Sequence, residues 1–167
     1  DDNVVEGTET FTLKFTAPVG DGTSGTATVS ITDYEEGKLQ FSSATYSSQE
    51  DSLQMIATIN RAFGTDGAAS VKLKSSDSAP TASTLTDYSS VDTTVLFADG
   101  ESSKSVAIPL INDNVAEFSE KFTLTLSNTT GATLGPTISA IGEIEDTDID
   151  FTSTLKLLTK STKTIQQ

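Results

Sequence analysis

Alternating hydrophobicity, closely spaced turn signals and an internal repeat predict an all-β chain. The expected architecture is a seven-stranded antiparallel β-sandwich of immunoglobulin-like type over residues 34–148. The last two strands of another copy, residues 1–33, precede it. Residues 112–126, NDNVAEFSEKFTLTL, carry the argument in miniature. Asp113, Glu117 and Glu120 come first, and then Phe122, Leu124 and Leu126 alternate with Lys121, Thr123 and Thr125. Period two marks a half-buried strand, so a carboxylate-rich loop feeds directly into a sheet. Residues 1–15, DDNVVEGTETFTLKF, repeat the pattern with an offset of 111. Asp2, Glu6 and Glu9 stand for Asp113, Glu117 and Glu120, and Phe11, Leu13 and Phe15 for Phe122, Leu124 and Leu126. Such a period fits one sandwich-sized domain in a tandem array.

The elements follow in order. After the first acidic loop and strand, residues 16–25 (TAPVGDGTSG) are a turn-rich connection. Ala27, Val29 and Ile31 then alternate with Thr28, Ser30 and Thr32 in a second strand that runs into the acidic DYEEG. Two strands alone are marginal in water, so residues 1–33 need partner strands from the same array or from another chain. Residues 37–47 (GKLQFSSATYS) predict one strand, and Gln49, Glu50 and Asp51 a break. Leu53, Met55, Ala57 and Ile59 share one phase, and Asp66-Gly67 signals a hairpin. Val71 and Leu73 alternate with Lys72 and Lys74. Residues 75–92 are a long polar crossing without periodicity. Val95 and Phe97 mark a short strand, and Val106, Ile108 and Leu110 the next, where Pro109 indicates an edge or a bulge. Residues 128–136 are a Gly/Thr-rich turn before Ile138, Ala140, Gly142 and Ile144. Residues 149–167 are basic, with three lysines, and read as a linker or as the first strand of a following repeat.

The 167 residues carry 24 acidic and 10 basic side chains, a net charge of −14. Such a surface repels phosphate, which argues against nucleic acid and anionic membrane surfaces as partners and favours cations, or simply solubility. Cysteine and histidine are absent, so disulfides, zinc thiolate sites and histidine-based triads are excluded. No apolar run reaches the roughly 20 residues of a membrane span. Asp1 in place of Met reads as an internal residue of something longer, or as the product of processing.

Five spaced motifs together resemble the Calx-beta domain family: FSSATYSSQED (41–51), LTDY (85–88), LFADGESSKSVAIPLINDN (96–114), EFSEKFTLTLSN (117–128) and IEDTD (144–148). The family is found in sodium–calcium exchangers, an integrin beta subunit and large bacterial surface proteins. The resemblance implies a sandwich with calcium sites at one end, formed by inter-strand loops. It implies metal ligands at Glu50, Asp87, Asp113, Glu117, Asp146 and Asp148. Asn112 and Asn114 stand where the exchanger-type pattern is acidic, and Thr147 interrupts the closing acidic triplet. Fewer carboxylates hold fewer ions, so one or two calcium ions are expected rather than four. Glu120 reads equally as a residue that orients a ligand or as the first residue of its strand. In the leading fragment Asp2, Glu6 and Asp33 match, without counterparts of Glu50 and Asp87.

The function expected is a non-enzymatic, calcium-binding structural repeat of a large surface or secreted bacterial protein: an adhesin, surface layer or filament. Calcium would rigidify the end that meets the next repeat. Neighbouring repeats are the expected partners, with self-association through residues 1–33 as an addition and the adhesive target unspecified. The alternatives are a regulatory calcium sensor on a membrane protein, and a calcium-independent spacer or strand-exchanged polymer subunit. Glycoside hydrolysis by Glu117 and Glu120 is disfavoured, because three-residue spacing at a strand entrance defines no cleft and there is no Trp for sugar stacking.

Overall fold

The computed structural model describes residues 8–20, 22–77, 82–83 and 85–148. Its elements are all strands except for one short 3-10 turn. Asp2 and Glu6 of the first acidic loop and the basic segment 149–167 lie outside the described residues.

β1 (Glu9–Phe15) and β2 (Gly25–Ile31) form an antiparallel two-stranded sheet of their own. Nine further strands make two larger sheets. One has the order β10 (Thr133–Leu134), β3 (Lys38–Phe41), β5 (Gln54–Ala62), β8 (Ser103–Pro109). The other has the order β4 (Thr45–Gln49), β11 (Ser139–Glu145), β9 (Glu120–Thr130), β6 (Ala69–Asp77), β7 (Asp92–Phe97).

Two differences from the sequence expectation have clear physical reasons. First, the strand predicted over residues 37–47 is two strands in opposite sheets. The chain leaves β3 at Phe41 and re-enters at Thr45, bridged by Phe41 N–H to Thr137 O (2.8 Å) and Ile141 N–H to Ala44 O (2.9 Å). The Ser-Ser-Ala step has no bulky side chain to hold it in either sheet. Second, the pairing is not purely antiparallel. β4 runs parallel to β11, and β10, placed within the predicted turn 128–136, runs parallel to β3. Among the described residues of this region the strands therefore number nine rather than seven.

Alternation explains the core. Met55, Ala57 and Ile59 on β5, Val71 and Leu73 on β6, and Phe122, Leu124 and Leu126 on β9 are all essentially fully buried. Each fully buried side chain of this size contributes about 1.5–3 kcal/mol. Leu53 falls out of the β5 phase: it caps the 3-10 turn with φ 60° and is exposed. Pro109 lies at the end of β8, an edge strand, where a missing N–H breaks no central ladder. Tyr88, in the polar crossing, is buried and stacks on Phe122 at 4.2 Å, and its hydroxyl donates to Asp77 Oδ1 (2.9 Å).

One end of the sandwich is closed by Arg61, a buried residue at the core-facing phase of β5. Its Nε donates to Glu36 O (2.8 Å), Nη1 to Gly67 O (2.7 Å), and Nη2 to Asp66 O (2.6 Å) and Gly131 O (3.3 Å). Asp66 adds a reciprocal pair: its N–H donates to Glu35 O (3.0 Å), and its Oδ2 accepts Glu35 N–H (2.9 Å). Gly64, at φ 132°, lies so close that a Cβ there would sit 2.3 Å from Glu35 O. The segment leading from β2 into β3 is therefore bound into the sandwich from Glu35 onward. Arg61→Met should destabilise the domain by about 2–4 kcal/mol, because carbonyls that now accept from a cation lose their donor. Arg61→Lys should recover little of this, since an ammonium cannot span the same fork of acceptors. Chemical denaturation reads both variants, and a loss under about 0.5 kcal/mol for Arg61→Met would contradict the clasp.

Candidate metal centre

Strand direction gathers the carboxylates. β4 is parallel to β11, with Gln49 opposite Glu145, so both strands finish at the same end. The next residue on each is a carboxylate, Glu50 and Asp146. β9 is antiparallel to β11 with Glu120 opposite Ile144, so the start of β9 reaches that end too. The crossing before β7 arrives through bonds to the chain after β8: Ile111 N–H to Asp87 O (3.0 Å) and Ser89 N–H to Pro109 O (2.9 Å). These bonds, with the bridge between Tyr88 and Leu110, fix Asp87.

The result is two acidic triads, Glu50–Asp146–Asp148 and Asp87–Glu117–Glu120. Within each triad one oxygen from every residue lies within 4.8 Å of the others. Glu50 and Asp87 are buried. A single cleft is lined by residues of both triads and by Thr86, Ile111, Asp113, Phe118 and Ile144. Five of the six residues singled out from sequence thus enter a triad: Glu50, Asp87, Glu117, Asp146 and Asp148. Asp113 lines the cleft but belongs to neither triad, and its Oδ1 accepts Val115 N–H (2.7 Å). Glu120 is the addition. Its signal was the internal repeat, which places an acidic residue, Glu9, at the same step before the alternating run.

The hydrogen bonds preset the carboxylates. Asp146 Oδ2 accepts Glu117 N–H (2.7 Å) and Oδ1 accepts Asp148 N–H (2.8 Å). Thr147, between them, donates its N–H (3.2 Å) and its hydroxyl (3.3 Å) to Glu50 Oε1. Asp87 Oδ2 accepts Ser83 N–H (2.6 Å). Asp148 Oδ2 is buried without a hydrogen-bond partner. The ion pairs Lys72–Asp92, Lys104–Glu101 and Lys121–Glu143 involve none of these residues.

Crowding shifts the acids apart. Burial first, then the hydrogen bond and charge of Asp87, push Glu120 up to about 7. Burial also raises Glu50, with Asp146 adding to it, and raises Glu117, with Asp87, Asp113 and Asp146 adding. Asp146 goes the other way, lowered chiefly by the backbone N–H groups of Asp148 and Glu117. Neighbouring carboxyls are thus shifted in opposite directions, as close like charges with unequal hydrogen bonding are. The donor set is all oxygen, and the protein has neither His nor Cys. That set fits a hard cation with flexible oxygen coordination and not a thiophilic or imidazole-seeking metal. The orphaned Asp148 oxygen is the observation that a bound cation would satisfy.

The family model for the Calx-beta domain matches residues 1–35 and 33–148. The chain belongs to the Calx-beta family. Among solved structures, the apo-form Calx CBD1 domain is 27% identical with a TM-score of 0.62, covering 66% of this chain and 97% of that one. The calcium binding domain CBD12 of CALX1.1 is 27% identical with a TM-score of 0.63, covering 66% of this chain and 46% of that one. The Calx CBD2 domain, 15% identical at a TM-score of 0.65 over 75% of this chain and 96% of that one, shares the fold. Adhesion G-protein coupled receptor V1 from Danio rerio is 36% identical over 125 residues, 74% of this chain. This Calx-beta chain spans only 2% of that relative's length.

The raised carboxyls give a pH dependence with a definite sign. Folded Glu120 holds a proton up to about pH 7 that the unfolded chain releases near 4.5. Its contribution is complete below the lower value and is lost as pH rises through the higher one. In metal-free buffer the melting midpoint should therefore fall between about pH 5 and pH 8, and Glu120→Gln should flatten the fall. A midpoint that rises across that window in the unsubstituted protein would contradict the assignment.

Proposed function

We propose that residues 34–148 are a non-enzymatic calcium-binding repeat, with one ion at each acidic triad or a single ion shared between them. The observation that carries this reading is the convergence of Glu50, Asp146 and Asp148 with Asp87, Glu117 and Glu120 at one end of the sandwich. The kinship with a calcium binding domain supports it. Asp113, in the same cleft, is a further ligand once its loop adjusts.

The repeat belongs to a tandem array. Residues 1–33 close a preceding copy, and residues 149–167 form a linker or open the next one. Such an array suits an extracellular or cell-surface protein that works in adhesion or as a structural layer or filament. Neighbouring repeats are its first partners. The ion ties four chain segments together at one end: the exits of β4 and β11, the crossing at Asp87, and the loop before β9. Each segment would otherwise carry repelling charge, so calcium converts a loose end into a stiff one. Affinities of about 10⁻⁴–10⁻³ M suit extracellular modules. A second reading, a regulatory calcium-sensing module of a membrane protein, is favoured by the likeness to an adhesion G-protein coupled receptor. Among the described residues no helix is long and apolar enough to cross a membrane.

The test is thermal unfolding with calcium and with chelator, beside a calorimetric titration. Calcium at about ten times its Kd should add roughly 1.4 kcal/mol and raise the midpoint by several degrees. Asp146→Asn should remove most of the rise, because Asp146 belongs to one triad and also accepts from Glu117 of the other. Asp113→Ala should remove less. No heat of binding and an unchanged midpoint at about 10 mM calcium, well above such affinities, would leave a calcium-independent spacer.

A further inference from the structure

The β1–β2 hairpin reproduces β9–β11 pair for pair. Glu9 faces Ile31, Phe11 faces Val29 and Leu13 faces Ala27. In the sandwich Glu120 faces Ile144, Phe122 faces Gly142 and Leu124 faces Ala140. The faces differ in what covers them. Phe122, Leu124 and Ile144 are buried, whereas Phe11, Leu13, Phe15 and Ile31 are 45–60% exposed. Such a hairpin carries half of a core and lacks the other half.

The sandwich shows what the missing half looks like. β9 takes β6 on its outer edge, β11 takes β4 in parallel, and the sheet containing β3, β5 and β8 lies across the buried face. A cover for the hairpin must therefore present an apolar sheet together with two open strand edges. Only a sandwich without its own closing pair does so. The sandwich at 34–148 is already closed by β9 and β11.

Steric fit separates the two hairpins further. Gly142 sits under the Phe122 ring: a Cβ there would lie 2.3 Å from the ring's Cζ. The same ring stacks at 4.2 Å on Tyr88, whose hydroxyl is fixed to Asp77, so it has little room to shift. The hairpin has Val29 at the Gly142 position. Placed in the slot of β9–β11, Val29 would overlap a Phe11 ring held as Phe122 is held.

We propose that the β1–β2 hairpin closes an acceptor sandwich formed by strands that precede it in the same polypeptide, and that Val29 keys it to that acceptor and bars it from the one at 34–148. The proposal rests on the tandem-repeat reading and names the partner surface within it. Its consequence is specificity. Adjacent repeats with the same strand register avoid exchanging their closing hairpins through one position that is Gly in one copy and Val in the next. The acceptor for Val29 must leave Phe11 room that Phe122 lacks in this copy.

The test compares the 167-residue chain with the same chain carrying its natural upstream residues, by hydrogen exchange and sedimentation. In the shorter chain β1 and β2 amides should exchange about 100-fold faster than those of β9 and β11, with the protein monomeric. With upstream residues present, β1 and β2 should gain about 100-fold protection. Leu13→Asp should abolish that gain without moving the melting of residues 34–148. Unchanged exchange in the longer polypeptide would overturn the proposal, as would a Leu13-dependent dimer of the shorter one, which would make a second copy the cover. Gly142→Val reads the key directly: it should lower the sandwich's midpoint by about ten degrees through overpacking. A midpoint within about two degrees of the parent would overturn the keying. Calcium titration of the same samples separates the outcomes. Protection without calcium binding sinks the calcium reading alone, and calcium binding without protection sinks this inference alone.

Discussion

Electrostatic crowding at one end of the sandwich is the constraint to which the rest of the structure answers. Two like charges 4.8 Å apart repel by about 3–4 kcal/mol at an effective dielectric near 20, before screening by salt. Six carboxylates arranged as two such triads exceed what a marginally stable domain of this size can carry unaided. The fold relieves the load in two ways. It turns backbone N–H groups toward Asp146, which keeps that acid ionised. It also buries Glu120 against Asp87, which keeps that one protonated near neutral pH. Both devices are partial, and a divalent cation is the counter-charge that would let every carboxyl ionise together.

The crowding is created by topology, and in particular by the parallel pairing of β4 with β11. Had residues 37–47 continued as one strand beside β5, Glu50 would have ended in the other sheet, away from Asp146. The step over Ser42, Ser43 and Ala44 moves the chain across the sandwich, and Tyr46 secures the far side by donating its hydroxyl to Thr58 O at 2.7 Å. A sequence pattern cannot show this step, because period-two alternation is the same for a strand in either sheet and passes through three small residues without a break. The short β10 was hidden for the opposite reason: two residues are too few to show any period. Strands such as β5, β6 and β9 were legible because each buries three or more side chains of one parity.

The site was legible to a different depth. Candidate ligand types and positions followed from the resemblance of spaced motifs, and the geometry brings Glu50, Asp87, Glu117, Asp146 and Asp148 to one end. The division into two triads was not legible, because it depends on which loop residue reaches which strand exit. Asp113 illustrates the difficulty. In sequence it sits at the centre of the acidic loop, yet its carboxylate turns back on Val115 N–H. Glu120 illustrates the converse, a residue that opens a strand and supplies a cluster at once. The clasp by Arg61 left no signal, since a single cation at the end of an alternating strand reads as a solvated terminus.

The two ends of the sandwich differ in kind, and the difference bears on how a string of such units behaves. At one end carboxylates wait for an external charge. At the other, Arg61 already has its donors satisfied by four carbonyl acceptors and holds the incoming chain from Glu35 onward. β2 ends at Ile31, so only Thr32, Asp33 and Tyr34 separate a hairpin built like β9–β11 from the clasp. Three residues span at most about 10 Å. Asp33 occupies the position that Asp146 holds after β11, as judged from the pairing of Ile31 with Glu9 and of Ile144 with Glu120. In the tandem array proposed above, the joint between copies would have one wall held by Arg61 whatever the ionic conditions and one wall whose stiffness would depend on bound cation. Freedom at such a joint is confined to a segment that itself carries a candidate ligand. A cation held there would act on the hinge directly and would not need to transmit strain through either core.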